Sequence, residues 1–155
     1  MIILDTDHMT VLRYPEHSQH AALLERLAKS TDADFFSTAV SVEEQLRGWL
    51  AGIRRKRKVH DQILYYGRLV GLVRSLGKWK ILPFDEPAAD LFESFRKQRI
   101  RIGTQDLKIA CIALSRESLL LSANPRDFQQ VPGLRVEDWL HKSCLVGRVA
   151  VVSRR

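Results

Sequence analysis

The stretch IILDTDHMT, residues 2–10, decides how the rest of the chain is read. Ile2 to Leu4 are apolar without alternation, the character of a strand buried on both faces in a helix-covered parallel sheet. The run then meets two acids, Asp5 and Asp7, with only Thr6 between them. Carboxylates so close repel each other, and burying either is costly without a compensating charge. Such acids either cap a helix or do chemistry.

Outward from this stretch, strands and helices alternate. Further strands are predicted at 35–38, at 79–84 (cut short by Pro83), at 119–122 and at 134–139. Helical spacing covers 8–14, 19–30, 41–52 with Ser41 as N-cap, 59–77, 85–98 and 104–117. This order predicts an α/β fold built on a parallel sheet. No internal linker is visible. The tail SCLVGRVAVVSRR (143–155) has no assigned role.

The bulk numbers narrow the class. A chain of 155 residues suits one domain, and 45% hydrophobic with 28% charged residues is an ordinary globular balance. A net charge of +7 favours polyanions, nucleic acid first. Two cysteines, Cys111 and Cys144, are too few for a disulfide scaffold or a thiolate zinc site. The opening MIILDTDH meets Asp too early for a signal peptide, and no apolar run reaches membrane-spanning length. These features predict a cytoplasmic protein with no membrane partner.

Ligands of parallel α/β sheets bind beyond the carboxyl ends of the strands. Asp5 follows the first strand, Glu43 and Glu44 lie just past the second, Asn124 and Asp127 follow the fourth, and Asp106 starts a late helix. Each has an ordinary reading: Asp5 or Asp7 as helix cap, SVEE (41–44) as a capping box, Asp106 in a helix's first turn, Asp127 in a turn. Their joint placement on one rim is the signal, and hard divalent cations, Mg²⁺ or Mn²⁺, are the natural counter-charge for such an oxygen-rich set.

ILDTD, STAVSVEEQLRG, IGTQDLKIACIAL and LLSANPRDFQQVPGLRVEDW together resemble a PIN domain of the VapC type, over roughly residues 1–140. The resemblance implies a three-layer α/β/α sandwich with a mostly parallel sheet, a single PIN-like domain at 1–142. It implies a metal-dependent endoribonuclease, the toxin of a toxin–antitoxin pair, acting on RNA, forming a homodimer and inhibited by a cognate antitoxin. It assigns the metal-binding and catalytic roles to Asp5, Glu44, Asp106 and Asp127, with Glu44 preferred to Glu43 because Gly48 supplies the family's spacing. Asp7 stands where the family often has Asn, and the basic run at 54–58 and the tail after His141 are outside its core pattern.

Thr6, Asn124 and Thr104 are candidates to orient carboxylates and water around such a site. Arg54, Arg55, Lys56, Arg57 and Lys58 form one candidate RNA surface; Lys97, Arg99, Arg101 and Arg126 form another. A solvated face explains 54–58 equally well. The histidines lack metal-ligand spacing and read as surface or packing residues, and Trp49, Trp79 and Trp139 as packing anchors. Two alternatives stay open. One is an aspartate-nucleophile phosphatase built on Asp5 and Asp7, although Met9 stands where that family has Thr or Val. The other is a non-catalytic PIN-like RNA-binding module.

Overall fold

A computed structural model describes residues 1–32 and 34–141. The tail at 143–155, with Cys144, lies outside the described residues. The elements run β1 (Ile2–Leu4), α1 (Thr6–Arg13), α2 (His20–Lys29), β2 (Phe35–Thr38), α3 (Ala39–Arg55), α4 (Val59–Leu76), β3 (Lys80–Leu82), α5 (Glu86–Lys97), α6 (Thr104–Leu114), β4 (Leu119–Leu121), α7 (Pro125–Phe128) and β5 (Arg135–Glu137).

The five strands form one sheet in the order β3-β2-β1-β4-β5, and every pairing is parallel. The unbroken apolar run of β1 is explained by its central place. Successive strand residues point to opposite faces. Ile3 packs with the α5 and α6 side, among Ala88, Phe95 and Ile109. Ile2 and Leu4 pack on the other side with Met9 of α1, Leu27 of α2 and Leu76 of α4. Helices therefore cover both faces, giving the expected α/β/α sandwich. Cys111 is fully buried in α6.

Two helix starts differ from the sequence reading. Helix α1 begins at Thr6 rather than His8, because Asp5 is its N-cap. Helix α3 begins at Ala39, and its cap is Thr38, whose side chain accepts the Ser41 amide at 3.0 Å. Ser41 is thus the capped residue and is fully buried. The strand passes straight into the helix with no loop between them. Residues 125–128, read as turn chemistry, form the short helix α7 with Pro125 in its first turn.

Helices α3 and α4 form a close antiparallel hairpin. A Cβ on Gly52 would collide with the Tyr65 ring, so glycine there sets the closeness of the pair. The outer side of α4 leaves Val59, Ile63, Tyr66, Val70 and Val73 exposed, at alternating spacings of four and three residues.

His8 on α1 is fully buried; its Nε2 accepts the Trp139 amide at 3.2 Å, and its Nδ1 has no partner among the described residues. Burial holds its pKa down at about 4, against 6.5 for a free imidazole. The unfolded chain takes up this proton near 6.5 and the fold resists it. The contribution to stability is therefore complete above pH 6.5 and is lost as pH falls towards 4. At 1.36 kcal/mol per pH unit this amounts to a few kcal/mol. The His8 ring is therefore expected to remain neutral by NMR at pH 5. A His8 ring that titrates near 6.5 in the folded protein would contradict this.

Candidate metal centre

The sheet's order reverses between β1 and β4, and the crevice at their carboxyl ends is where parallel sheets place ligands. Asp5 leaves β1 there and is 8% exposed. Its Oδ1 accepts the Thr6 amide at 2.7 Å, and its Oδ2 accepts the Ser122 hydroxyl at 3.1 Å from the end of β4. Burial, more than any other cause, pushes the Asp5 carboxyl up to about 6. The Thr6 amide opposes the shift, while the charges of Glu44 and Asp7 add to it.

Glu44 is the sixth residue of α3, too deep for a capping box with Ser41. Its Oε2 accepts the Thr6 hydroxyl at 2.8 Å, joining α3 to α1 directly beside Asp5. Asp106 is the third residue of α6 and half-buried. Burial raises its pKa, and the charges of Glu44 and Asp127 raise it further. A Cβ on Gly103 would lie 2.7 Å from Asp106 Oδ2, so glycine at this N-cap leaves the carboxylate its room. Asp127 is exposed on α7.

The structure thus brings Asp5, Glu44, Asp106 and Asp127 to one rim. Among the described residues, no ion pair engages any of the four. Nor do any three acidic, histidine or cysteine side chains there stand close enough to grip one ion as they lie. Mutually repelling carboxylates with no charge between them have reason to stand apart. The donor set is all oxygen and anionic, and two of its members are held above their ordinary pKa. That chemistry suits a hard divalent cation.

The supporting residues divide. Thr6 orients Glu44. Asn124 is exposed at the cap position of α7, where its amide donates to the Ser122 hydroxyl at 3.2 Å. Thr104 is the exposed first residue of α6. Sequence reasoning missed Ser122, the residue that joins Asp5 to β4; its only signal was a serine directly after the apolar run LLL. It also missed Gln105, whose side-chain amide donates to Glu43 Oε2 at 2.8 Å and ties the start of α6 to α3.

The basic residues lie in two places. Arg54 and Arg55 end α3, and Lys56, Arg57 and Lys58 make the turn into α4. Ten residues of helix, about 15 Å at 1.5 Å each, separate Glu44 from Arg54. Lys97, Arg99 and Arg101 are exposed on the approach to α6, and Arg126 is exposed beside Asp127.

The chain of VapBC-1 from nontypeable Haemophilus influenzae superposes with a TM-score of 0.68, covering 90% of this chain and 98% of that one at 23% identity. The fold is the PIN fold of the VapC proteins. In sequence, no family model matches the chain. Ribonuclease VapC1 of Haemophilus influenzae is 41% identical over 46 residues, 30% of this chain and 34% of that protein. The tRNA(fMet)-specific endonuclease VapC of Salmonella typhimurium is 34% identical over 68 residues, 41% of this chain and 52% of that protein. The aligned stretches therefore span between a third and about half of these relatives, while the PIN fold extends over nearly all of the described chain.

Proposed function

We propose that this chain is a metal-dependent endoribonuclease, the toxin of a toxin–antitoxin pair. The observation that carries the reading is the placement of Asp5, Glu44, Asp106 and Asp127 along one rim of a PIN fold, where no ion pair among the described residues engages them. The similarity to proteins named ribonuclease and endonuclease supports it. Asp5 and Asp106 would hold the principal Mg²⁺ or Mn²⁺, with Glu44 and Asp127 completing the site. Such an ion supplies positive charge to a phosphodiester and lowers the pKa of a water it binds. The chain's own groups do the rest. Ser122 and the Thr6 amide fix the Asp5 carboxylate; the Thr6 hydroxyl fixes Glu44. Lys97, Arg99, Arg101 and Arg126 flank the rim and hold phosphates.

Both Asp5 oxygens accept hydrogen bonds, which suits a held ligand better than the attacking nucleophile of a phosphatase. The partners are an RNA substrate, a cognate antitoxin and a second copy of the chain, and the setting is cytoplasmic; none of the described helices is long and apolar enough to cross a membrane. The exposed apolar row on α4 is a surface of the kind partner chains cover. The test is incubation of total cellular RNA with the purified protein in Mg²⁺, in Mn²⁺ and in chelator. Discrete products in either metal and none in chelator are expected. Cleavage that persists in chelator would overturn the reading.

A further inference from the structure

One turn along α1 from the acids, the chain forms a second feature that the metal centre does not use. A cavity of about 820 Å³ lies between α1, the loop after it and the α3–α4 hairpin, lined by Thr10, Tyr14, His17, Trp49, Tyr65 and Arg68. Three half-buried aromatic rings meet there, and cations stand over two of them. The Trp49 and Tyr65 rings meet edge to face with centroids 6.2 Å apart. The Arg68 and Arg13 guanidinium carbons lie 5.2 and 5.8 Å from the Tyr14 centroid, and Lys56 Nζ lies 5.4 Å from that of Tyr65. Rings interleaved with cations are what a stacked nucleobase and its phosphate require.

The cavity lies one turn of α1 from the residue that holds Glu44. Thr10, on its wall, donates its hydroxyl to the Thr6 carbonyl at 2.8 Å, and Thr6 holds Glu44. Four residues of helix place the two threonines on the order of 6 Å apart along α1. On α3, Gly48 lies one turn beyond Glu44 and just before Trp49. A Cβ at Gly48 would meet nothing within 4 Å, so no side chain stands on α3 between Glu44 and Trp49 at that position.

We propose that this cavity is a nucleobase subsite: it takes one unpaired base of the RNA adjacent to the cleaved linkage, stacked on Trp49, with Arg68, held over the Tyr14 ring, on its phosphate. The inference rests on the ribonuclease reading. The base the cavity takes must be unpaired, because a paired base cannot enter a ring-lined cavity without leaving its stack.

The experiment uses the full chain in chelator, where RNA is bound without cleavage, and a fluorescein-labelled single-stranded RNA of about 12 nucleotides. Trp49→Ala and Tyr14→Ala are expected to weaken binding about tenfold, and Trp49→Phe to restore it to within about twofold. Arg68→Ala, at an exposed position that leaves the fold intact, should weaken binding and lower its salt dependence. A probe series with one abasic nucleotide should contain a position whose loss weakens the unsubstituted protein but not Trp49→Ala, a coupling that simple misfolding does not produce. Equal binding by Trp49→Ala and the unsubstituted protein would overturn the subsite alone, and would leave the cavity to a protein partner. No RNA binding by the unsubstituted protein in chelator would overturn the subsite, whereas the ribonuclease reading stands or falls separately with cleavage in Mg²⁺ or Mn²⁺.

Discussion

Replacing Asp106 with Asn is expected to lower RNA cleavage by about a thousandfold or more, roughly 4 kcal/mol of transition-state stabilisation. The amide keeps the shape of the side chain and its place against Gly103 but removes one of the two charges assigned to the principal ion. Folding should not suffer. Burial and the charges of Glu44 and Asp127 already hold the Asp106 carboxyl above its ordinary pKa, so its charge is a burden on the metal-free fold. The metal-free Asp106→Asn protein should melt at or slightly above the temperature of the unsubstituted one. Cleavage within tenfold of normal would remove Asp106 from the centre. A large drop in melting temperature would make it a structural cap.

The second large effect is on stability. Divalent cation should raise the melting temperature of the unsubstituted protein by about 5–10 °C. An ion at a hundredfold over its dissociation constant contributes about 2.7 kcal/mol, and each kcal/mol moves a chain of this size by about 2–4 °C. The physical source is relief of repulsion among four carboxylates on one rim, which the described residues offer no ion pair to relieve. Monovalent salt at matched ionic strength controls for screening. In Asp106→Asn the shift should shrink to about 2 °C or less. Equal shifts in both proteins would place the ion elsewhere.

Much of the fold was legible because β1 sits at the centre of the sheet. A strand buried on both faces shows as an unbroken apolar run, and IIL and LLL both do so. Helix starts were less legible. Thr38 and Ser41 are both good caps three residues apart, and only the direct passage from strand to helix makes Thr38 the cap. The general rule for parallel sheets pointed to Asp5, to the Glu43–Glu44 pair and to Asp127, while Asp106, which follows no strand, and the choice of Glu44 over Glu43 came from the resemblance. Their supports came from neither: the Thr6–Glu44 bond spans 38 residues and the Ser122–Asp5 bond spans 117, and neither leaves a local pattern. The run at 54–58 was conspicuous for its charge, but charge alone could not say that it lies at the far end of α3 from Glu44. Trp49 was read as a packing anchor, and its half-open cavity with Tyr14 and Arg68 depends on a hairpin that no spacing announces.

The central place of β1 also governs when the protein can act. Its first strand must wait for β4, made more than a hundred residues later, before its second neighbour exists. While the chain is being made, Asp5 and Glu44 can meet early, but Asp106, Ser122 and Asp127 have not yet been added. At about 5–20 residues per second, the 83 residues from Glu44 to Asp127 take roughly 4–16 s. On the proposed ribonuclease reading, a chain assembled this way would stay unarmed until Asp127 had been made, while the ribosome is its nearest large RNA. On that reading, strand order would delay the activity until the late strands are made.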